Sequence, residues 1–287
     1  MGNFYLYKIA VFLVRHLPRS INYALAVFLA DCQYLLSSND REAVSKNLKV
    51  ILNTNKVPSL MVREVFRNFG KYLVDFFTMT KSLNKDFIKD SVEITGVEYI
   101  NEALHQGKGG IILSAHLGNW EMGGSVLSFL GYPLSVVALA HKDDRVNALF
   151  NSQREFFGTT VIQTNVAIRR CLEHLNRNRL VAILADRDFG HHGLTMDFLG
   201  RKALIPQGAA MFALKTGAPI IPVFFLRTAE DKFRFIIQKP IYPPLKENKR
   251  IETQEVEGFT KKFLYLIEEQ IRQNPSQWSV FCRFEVT

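Results

Sequence analysis

The sequence predicts an α/β fold with a mainly parallel sheet flanked by helices, and three observations lead to this prediction. Short β-rich runs follow one another after residue 92, helical periodicity fills the gaps, notably over residues 166–175, and 47% of the 287 residues are hydrophobic. Strands that alternate with helices at this spacing are typical of βαβ units, whose sheets are covered on both faces. The hydrophobic content is sufficient for a sizeable core. The predicted strands of this set are residues 110–114, 134–139, 160–163, 180–185 and 220–225.

Helical periodicity is strongest in the segment that follows Ser59, a candidate helix cap. The apolar residues there recur every three or four positions, as on an amphipathic helix. They are Val62, Val65, Phe66, Phe69, Tyr72, Leu73, Phe76 and Phe77. This aromatic stripe is interpreted either as ordinary core, which is favoured, or as the lining of a lipid groove. Further along the chain, residues 233–237 are expected to form a strand, residues 254–273 a long helix and residues 278–284 a last strand.

The N-terminal segment is apolar and aromatic, and the one organisational break is predicted near residues 37–41. We therefore expect residues 1–38 to be a membrane-associated helical segment and residues 39–287 to be the α/β domain. A spanning helix needs about 20 predominantly apolar residues. The uncharged run of residues 20–30 is shorter and stops at Asp31, and no signal-peptide cleavage pattern is present. The leader is therefore expected to be retained without a clean membrane span.

Pro18 is expected to divide the leader into two short helices. Lys8, Arg15 and Arg19 follow one another at intervals of seven and four residues and would form one basic stripe. The apolar residues expected beside this stripe are Tyr5, Phe12, Leu13 and Leu17. Such a pattern is typical of a helix that lies in a membrane interface. The alternative is a helical hairpin packed on the domain.

The formal net charge of +9 and the pI of about 9.4 favour an anionic partner. The sequence has no RNP-like strand, zinc-finger spacing or helix-turn-helix signal, so an anionic membrane surface is favoured over nucleic acid. The three cysteines, Cys32, Cys171 and Cys282, are far apart and odd in number. They therefore predict a reducing compartment, with no disulfide framework and no cysteine zinc site.

The candidate catalytic residues follow two of the predicted strands. The first strand is followed by Ala-His-Leu-Gly-Asn-Trp-Glu, which places His116 and Glu121 at the carboxyl edge of the sheet, where open α/β sheets bind ligands. A histidine takes up a proton near neutral pH, and a carboxylate on its other ring nitrogen fixes its tautomer. If the chain bends at Gly118, Glu121 reaches His116 and the amides of the next helix face the same site. Asp186 follows the fourth strand and is equally able to orient the histidine, while a surface ion pair is the alternative for each acid.

These motifs resemble the bacterial lipid A late-acyltransferase family, which includes the mycobacterial phosphatidylinositol mannoside acyltransferases. The resemblance covers nearly the whole chain. It rests on the apolar leader, on Ser-Ala-His-Leu-Gly-Asn-Trp-Glu at residues 114–121, on Ala-Asp-Arg-Asp at residues 185–188, and on residues 196–222. The last stretch contains Met-Asp-Phe-Leu-Gly-Arg-Lys, Ile-Pro-Gln-Gly-Ala-Ala and Thr-Gly-Ala-Pro-Ile-Ile-Pro-Val.

The resemblance implies transfer of a fatty-acyl chain from an acyl carrier protein or coenzyme A thioester to a hydroxyl of a membrane glycolipid. A lipid A precursor is the expected acceptor, which would place the protein in lipopolysaccharide biosynthesis. The expected location is the cytoplasmic face of the inner membrane, as a peripheral or monotopic protein. A phosphatidylinositol mannoside or another lipid is the alternative acceptor.

The resemblance also implies roles for individual residues. His116 would deprotonate the acceptor hydroxyl, with Glu121 as the motif carboxylate. Arg154, which precedes a Phe-Gly pair, and Asp186 would complete the catalytic set. The predicted substrate-binding residues are Asn119, Trp120, Arg187, Asp188, Gly200 and Gly208, the two glycines being part of a turn expected to shape the floor of the site.

Other functions have weaker sequence support. A metal cluster could be formed by Asp186, Asp188, His191 and His192, but their spacing matches no metal motif, so no metal or cofactor is predicted. Asp188, Phe189 and Gly190 spell the kinase magnesium tripeptide without the accompanying glycine-rich loop. A serine esterase would need a Gly-x-Ser-x-Gly elbow, which is absent, and a non-catalytic lipid-binding protein would need none of the three candidate site residues His116, Glu121 and Asp186. The arginines expected to receive an acidic carrier protein, or simply to face solvent, are Arg169, Arg170, Arg177 and Arg179.

Overall fold

The computed structural model describes residues 2–188, 190, 193–244 and 251–285. The strands in this part of the chain are β1 (Val92–Thr95), β2 (Gly110–Ser114), β3 (Leu134–Ala138), β4 (Thr160–Gln163), β5 (Leu180–Leu184), β6 (Leu194–Phe198), β7 (Arg201–Ile205), β8 (Ile220–Arg227) and β9 (Phe233–Ile237). The helices are α1 (Gly2–His16), α2 (Arg19–Leu36), α3 (Ser38–Ile51), α4 (Ser59–Ser82), α5 (Lys85–Ser91), α6 (Val97–His105), α7 (Trp120–Phe129), α8 (Asp144–Glu155), α9 (Ala167–Asn176), α10 (Gly208–Thr216) and α11 (Thr253–Gln273).

Seven strands form one sheet in the order β1-β9-β8-β2-β5-β3-β4. Strands β8, β2, β5, β3 and β4 are mutually parallel, while β9 runs antiparallel to β8 and β1 runs parallel to β9. Strands β6 and β7 form a separate antiparallel hairpin. The predicted α/β class with a mainly parallel sheet is confirmed, and the five predicted strands end within two residues of their expected positions.

Helices cover the sheet on both faces, and its central strand β2 is buried throughout. Ile111 and Leu113 of β2 belong to the core cluster that includes α9, α10 and α11. Ile112 points to the other face and joins the cluster of α4, α7 and α8. This alternation follows from the two-residue period of a strand. The two layers of helices fix the sheet and leave its carboxyl edge as the place where side chains converge.

The aromatic stripe of α4 is part of the core, as the favoured interpretation predicted. Phe66, Tyr72 and Phe76 are buried there. The prediction that Ser59 caps this helix is wrong. Ser59 is the first helical residue, and Pro58, with φ −58° and ψ 135°, occupies the cap position. Proline is well suited to a helix start, because its φ is fixed and it lacks the N–H that would remain without a partner there.

The leader forms two helices that are separated at Pro18, as predicted. α2 packs along α4, where Asp31 accepts hydrogen bonds from Arg63 at 2.5 and 2.6 Å and from Arg67 at 2.8 and 2.9 Å. These bonds hold the pKa of the Asp31 carboxyl well below its usual range. Ala30 and Gly70 allow the close approach, since a Cβ on Gly70 would lie 3.0 Å from the Ala26 oxygen and 3.4 Å from the Ala30 Cβ.

The predicted basic stripe is wrong, because its arginines lie on two helices and contact other parts of the chain. Arg15 lies in the last turn of α1 and donates to Gln153 at 3.2 Å. Arg19 begins α2 and donates to the Asp231 carbonyl at 2.9 Å. No helix in the described part of the chain is long and apolar enough to cross a membrane. The outer faces of the leader carry exposed apolar residues, which are Tyr5, Ile9, Phe12 and Leu13 on α1 and Ile21, Leu25, Phe28 and Leu29 on α2.

The predicted strand at residues 278–284 is also wrong. A short 3-10 turn at Pro275–Gln277 follows α11, and Trp278 makes one isolated bridge with Leu117. The Ser279 amide donates to the His116 carbonyl at 2.8 Å. The C-terminal segment therefore crosses the carboxyl edge of the sheet and adds no strand to the sheet, because at this edge it pairs with the loop after β2.

Candidate active site

His116 and Asp186 form a pair at the carboxyl edge of the sheet. In the parallel pairing of β2 with β5, Ser114 is opposite Leu184, and each of the two site residues lies two positions further along its chain. The His116 Nδ1 lies 2.9 Å from Asp186 Oδ1, and the His116 backbone N–H donates to Asp186 Oδ2 at 3.0 Å. Adjacent parallel strands thus bring together two residues that are 70 positions apart in the sequence.

The Asp186 carboxylate is fully enclosed, with 0% of its side chain exposed, whereas the His116 side chain is 17% exposed. The Trp278 indole Nε1 donates to Asp186 Oδ2 at 2.8 Å. Burial by itself raises the pKa of the Asp186 carboxyl. The charge of His116, its ring hydrogen bond, the Trp278 indole N–H and the His116 backbone N–H all lower this pKa, and together they outweigh burial. The net result is a lowered pKa, so Asp186 is ionised at neutral pH.

An ionised carboxylate accepts hydrogen bonds and donates none, so the His116 nitrogen that faces Asp186 must carry a proton. In the neutral imidazole the lone pair is then on Nε2. This is the protonation state that a general base requires, with the second nitrogen held by a buried anion that stabilises the imidazolium after proton uptake. The sequence did not show whether Glu121 or Asp186 binds the imidazole, and in the structure it is Asp186.

The chain bends at Gly118 and continues into α7 as predicted, but the expectation that this bend brings Glu121 to His116 is wrong, because the Glu121 carboxylate is bound by Arg154. Gly118 has a φ of +67°, and a Cβ there would lie 2.2 Å from the Phe225 carbonyl oxygen. The Asn119 backbone N–H donates to that same oxygen at 2.8 Å. The Asn119 side chain caps α7 by accepting from the Met122 N–H at 3.1 Å. The first helical residue, Trp120, places its ring 5.1 Å from the His116 ring and stacks on Tyr72 at 4.5 Å, as measured between ring centroids.

Glu121 forms a close ion pair with Arg154. The Arg154 Nη2 lies 2.6 Å from Glu121 Oε1, and Nε lies 3.1 and 3.0 Å from the two carboxylate oxygens. Each side chain is 12% exposed. Burial lowers the pKa of Arg154, but Glu121 more than compensates and raises it overall. The structure thus brings together two of the predicted site residues, Glu121 and Arg154, with the Glu121 carboxylate bound to the Arg154 guanidinium.

The charges of this ion pair shift the pKa values of two neighbouring residues, Tyr72 and His141. Tyr72 is buried, and its hydroxyl pKa is raised well above the ordinary value, first by burial and then by the nearby Glu121 carboxylate. His141 follows β3 and packs on the Phe150 ring at a centroid distance of 4.4 Å. Burial and the Arg154 charge lower the pKa of His141, which keeps this imidazole neutral at pH 7.

The other predicted substrate-binding residues lie in the loop after Asp186 and in the β6–β7 hairpin. Arg187 Nη2 lies 3.1 Å from Cys282 Sγ. Asp188 accepts from the Gly190 and Gly193 amides at 3.0 and 2.6 Å. Gly200, with φ +86°, is part of the tight turn between β6 and β7, and Gly208 is the first residue of α10. His191 and His192, which belong to the metal hypothesis, lie outside the described residues, and within those residues no group of acids, histidines and cysteines is arranged to hold a metal ion.

Sequence reasoning did not identify Trp278, Asp75 and Arg227 as parts of this region. Trp278 contacts the dyad directly, and Asp75 contacts Asn119 at 3.3 Å. One signal was present for Asp75, a carboxylate inside an otherwise apolar helical stripe. A buried charge in such a position needs a partner.

Comparison of the sequence with known proteins identifies the family. The family described as bacterial lipid A biosynthesis acyltransferase matches residues 1–284 of the 287 in the chain. The chain therefore belongs to this family, and it is an acyltransferase.

Among individual relatives, the phosphatidylinositol mannoside acyltransferase of Mycolicibacterium smegmatis is 27% identical over 217 residues, which cover 74% of this chain and 70% of that protein. The protein of the same description from Mycobacterium tuberculosis is 28% identical over 203 residues, covering 68% and 64%. A lipid A biosynthesis acyltransferase of Haemophilus influenzae is 28% identical over 149 residues, covering 51% and 46%. The chain thus spans about two thirds or less of the length of most of these relatives.

Proposed function

We propose that this acyltransferase moves a fatty-acyl chain from an acyl carrier protein or coenzyme A thioester to a hydroxyl of a membrane glycolipid, with His116 as general base. The observation that carries the proposal is the His116–Asp186 pair at the carboxyl edge of the sheet. Its buried carboxylate holds Nδ1 at 2.9 Å and leaves the lone pair on Nε2. The family match supports acyl transfer to a lipid, and the pair supplies the base that such a transfer needs.

In the proposed reaction, Nε2 accepts the proton of the acceptor hydroxyl as the hydroxyl oxygen attacks the thioester carbonyl. A tetrahedral oxyanion forms, and the carbon–sulfur bond then breaks. The thiolate leaves with the proton returned by the His116 imidazolium, so the protein ends in its initial state. General-base catalysis of this kind contributes roughly 10² to 10⁴-fold to the rate. No covalent intermediate on the enzyme is required.

The remaining site residues act around this step. The first turn of α7 begins four residues after His116, and helix N-termini offer backbone N–H groups that have no intrahelical partner. These amides, with Trp120 beside the imidazole, stabilise the oxyanion and bound substrate in the proposed mechanism. Arg154 contributes positive charge next to Glu121 and binds an anionic portion of a substrate.

For the acceptor, we propose a lipid A precursor, with a phosphatidylinositol mannoside as the second candidate. The names of the two mycobacterial relatives favour the mannoside, whereas the family description favours lipid A. We further propose that residues 1–38 act as the membrane-associated part of the protein and residues 39–287 as the catalytic domain. The exposed apolar faces of α1 and α2 support contact with the inner membrane, and the net charge of +9 supports an anionic, cytoplasmic surface.

The test is acyl transfer by the purified full chain in detergent. Two donors, acyl carrier protein and coenzyme A, each loaded with a radiolabelled acyl chain, are offered with a lipid A precursor or a phosphatidylinositol mannoside. The wild type is compared with His116→Ala and with His105→Ala, a matched control at an exposed position at the end of α6. We expect product from the wild type and the control, and at least a 100-fold loss in His116→Ala. Full activity in a folded His116→Ala variant would exclude the proposed base.

A further inference from the structure

A buried polar cluster, formed by Asp75 of α4, Arg227 of β8 and Tyr23 of α2, lies outside the dyad. The Asp75 side chain is 3% exposed and that of Arg227 is 7% exposed, and the two are joined by a direct ion pair through Arg227 Nη2 and Asp75 Oδ2. The Tyr23 hydroxyl donates to Asp75 Oδ1 at 2.6 Å and accepts from Arg227 Nη1 at 2.8 Å. Burial and the Asp75 charge raise the pKa of Tyr23, so its hydroxyl stays a donor.

This cluster reaches the loop that carries His116. The Asn119 Nδ2 donates to Asp75 Oδ2 at 3.3 Å, while Oδ1 of the same amide accepts from the Met122 N–H at 3.1 Å. Arg227 contacts the loop by a second route, because its backbone N–H and carbonyl are both bonded to the Gln277 side chain at 2.9 Å. The Gln277 carbonyl in turn accepts from the Gly118 N–H at 3.0 Å.

The energetic cost of burying Asp75 and Arg227 needs an explanation. A buried ion pair is often no more stable than well-packed apolar residues of the same volume, because both charges lose their hydration. A buried polar network that is fully hydrogen-bonded can instead hold a neighbouring side chain in one arrangement. Here the neighbour is Asn119, whose amide has two possible orientations. A carboxylate opposite Nδ2 permits only the orientation in which Oδ1 faces the helix.

We propose that Asp75 is a positioning residue for the proposed base: by orienting Asn119, it fixes the start of α7 and the position of His116 and Trp120. Tyr23 and Arg227 hold the Asp75 carboxylate in place for this purpose. The inference rests on the proposed function, in which His116 carries the chemistry. It adds that a residue of the leader, Tyr23, contributes to turnover although it lies on a different helix from every residue of the site.

The structure indicates why the leader is part of this arrangement. α2 presents Tyr23 and Ala26 to the domain, and Leu25 and Phe28 on its outer side are exposed. The Tyr23 ring also lies under the Arg227 guanidinium, at 5.1 Å from its centroid. The position of α2 is therefore transmitted to the Asp75 carboxylate through the two hydrogen bonds of Tyr23, its cation–π contact with Arg227, and the ion pair between Arg19 and Asp75 at 3.8 Å.

The experiment is a double-mutant cycle on the full chain, using Tyr23→Phe and Asn119→Ser. Tyr23→Phe removes one hydroxyl and leaves the Asp75–Arg227 ion pair intact. Asn119→Ser keeps a good helix cap but removes the amide that faces Asp75. Tyr34→Phe is the matched control, since Tyr34 is on the same helix and packs on Phe66 by its ring. Each variant is measured for kcat, for KM of the thioester donor and for thermal unfolding, beside His116→Ala.

We expect Tyr23→Phe to lower kcat roughly 10-fold, which corresponds to about 1.4 kcal/mol in activation free energy, with KM unchanged. In the Asn119→Ser background, Tyr23→Phe should have almost no further effect on kcat, because the link to the helix is already lost. Tyr34→Phe should match the wild type.

An equal loss from Tyr23→Phe in both backgrounds, or no loss of kcat in folded Tyr23→Phe, would overturn the inference. A purely structural role of Tyr23 would lower the unfolding temperature and the active fraction whatever residue stands at position 119. His116→Ala separates the two levels of the argument. If that variant is active, the proposed function fails; if it is inactive while Tyr23→Phe has a normal kcat, the positioning role alone fails.

Discussion

Replacing Asp186 by asparagine changes the site by one atom and should reverse the tautomer of His116. Asp186 Oδ2 accepts two neutral donors, the His116 N–H at 3.0 Å and the Trp278 indole at 2.8 Å, whereas Oδ1 faces His116 Nδ1. An asparagine has a single amide oxygen. Because two donors converge on the Oδ2 position, the oxygen is expected there, and the NH₂ group then faces Nδ1.

An NH₂ donor requires an acceptor nitrogen opposite it, so the neutral imidazole would carry its proton on Nε2. The nitrogen that faces the acceptor hydroxyl, Nε2, then already carries a proton and has no lone pair with which to accept another. The expected loss is the full general-base contribution, roughly 10² to 10⁴-fold in kcat, or about 3–5 kcal/mol in activation free energy. Donor KM should change little, since no group that binds the thioester is altered.

The assay is initial-rate acyl transfer with saturating donor, and thermal unfolding shows that the variant is folded. Asp197→Asn is the matched control, because the Asp197 side chain is 78% exposed and pairs only with Lys202 at 2.9 Å among the contacts of the described residues. The control should retain wild-type activity. A folded Asp186→Asn variant within about threefold of the wild type would refute the tautomer argument. A residual rate below that of His116→Ala would show that Asp186 has a further role.

Three further predictions concern the same edge of the sheet. Trp278→Phe removes one of three donors to Asp186 and should lower kcat about 10-fold, measured with the same transfer assay. Arg154→Met should lower the free energy of unfolding by about 3–5 kcal/mol, because it strands the Glu121 carboxylate at a site that is 12% exposed, and adding Glu121→Gln should restore part of this in urea unfolding. The pKa of Asp186 is lowered on folding, so its contribution to stability is present above the normal aspartate range, about pH 4, and is lost as the pH falls through the lower folded value. The stability difference between wild type and Asp186→Asn should therefore shrink as the pH falls below about pH 4, and a difference that grows over this acid range would contradict the assignment.

The sheet and the dyad were accessible from the sequence because they depend on local patterns. Continuous apolar runs predicted the strands, and a residue that immediately follows a buried parallel strand must lie at the carboxyl edge. His116 and Asp186 meet this condition, and their contact required only that β2 and β5 be neighbours. The strand order itself depends on long-range packing. The sequence therefore left open which acid faces the imidazole.

Contacts made by isolated side chains were not predictable in the same way. Trp278 reaches Asp186 from a segment without regular structure, and its apolar surroundings suggested a strand that does not form. Arg15 and Arg19 followed a helical period in the sequence, but Pro18 separates them, and each contacts a different partner in the domain, Gln153 for Arg15 and the Asp231 carbonyl for Arg19. Both errors have the same physical cause: a periodic pattern predicts which side of an element is apolar and gives no information on the partner of a polar group.

The two acids of the site have opposite assignments, and the electrostatics explain why both are needed. Asp186 is held in a buried position by three N–H donors, which keep it ionised against the imidazole. Glu121 lies five positions after His116 in the sequence, but its carboxylate is bound by Arg154 through Nε and Nη2. This ion pair balances the Glu121 charge and holds the carboxylate beside α8. The imidazole is hydrogen-bonded to one carboxylate, that of Asp186, and the third guanidinium nitrogen of Arg154, Nη1, donates to Asn151 at 3.3 Å. The proposed roles of a base oriented by Asp186 and of an anion-binding Arg154 therefore predict different defects: variants of Asp186 should lose kcat, and variants of Arg154 should change in KM and stability.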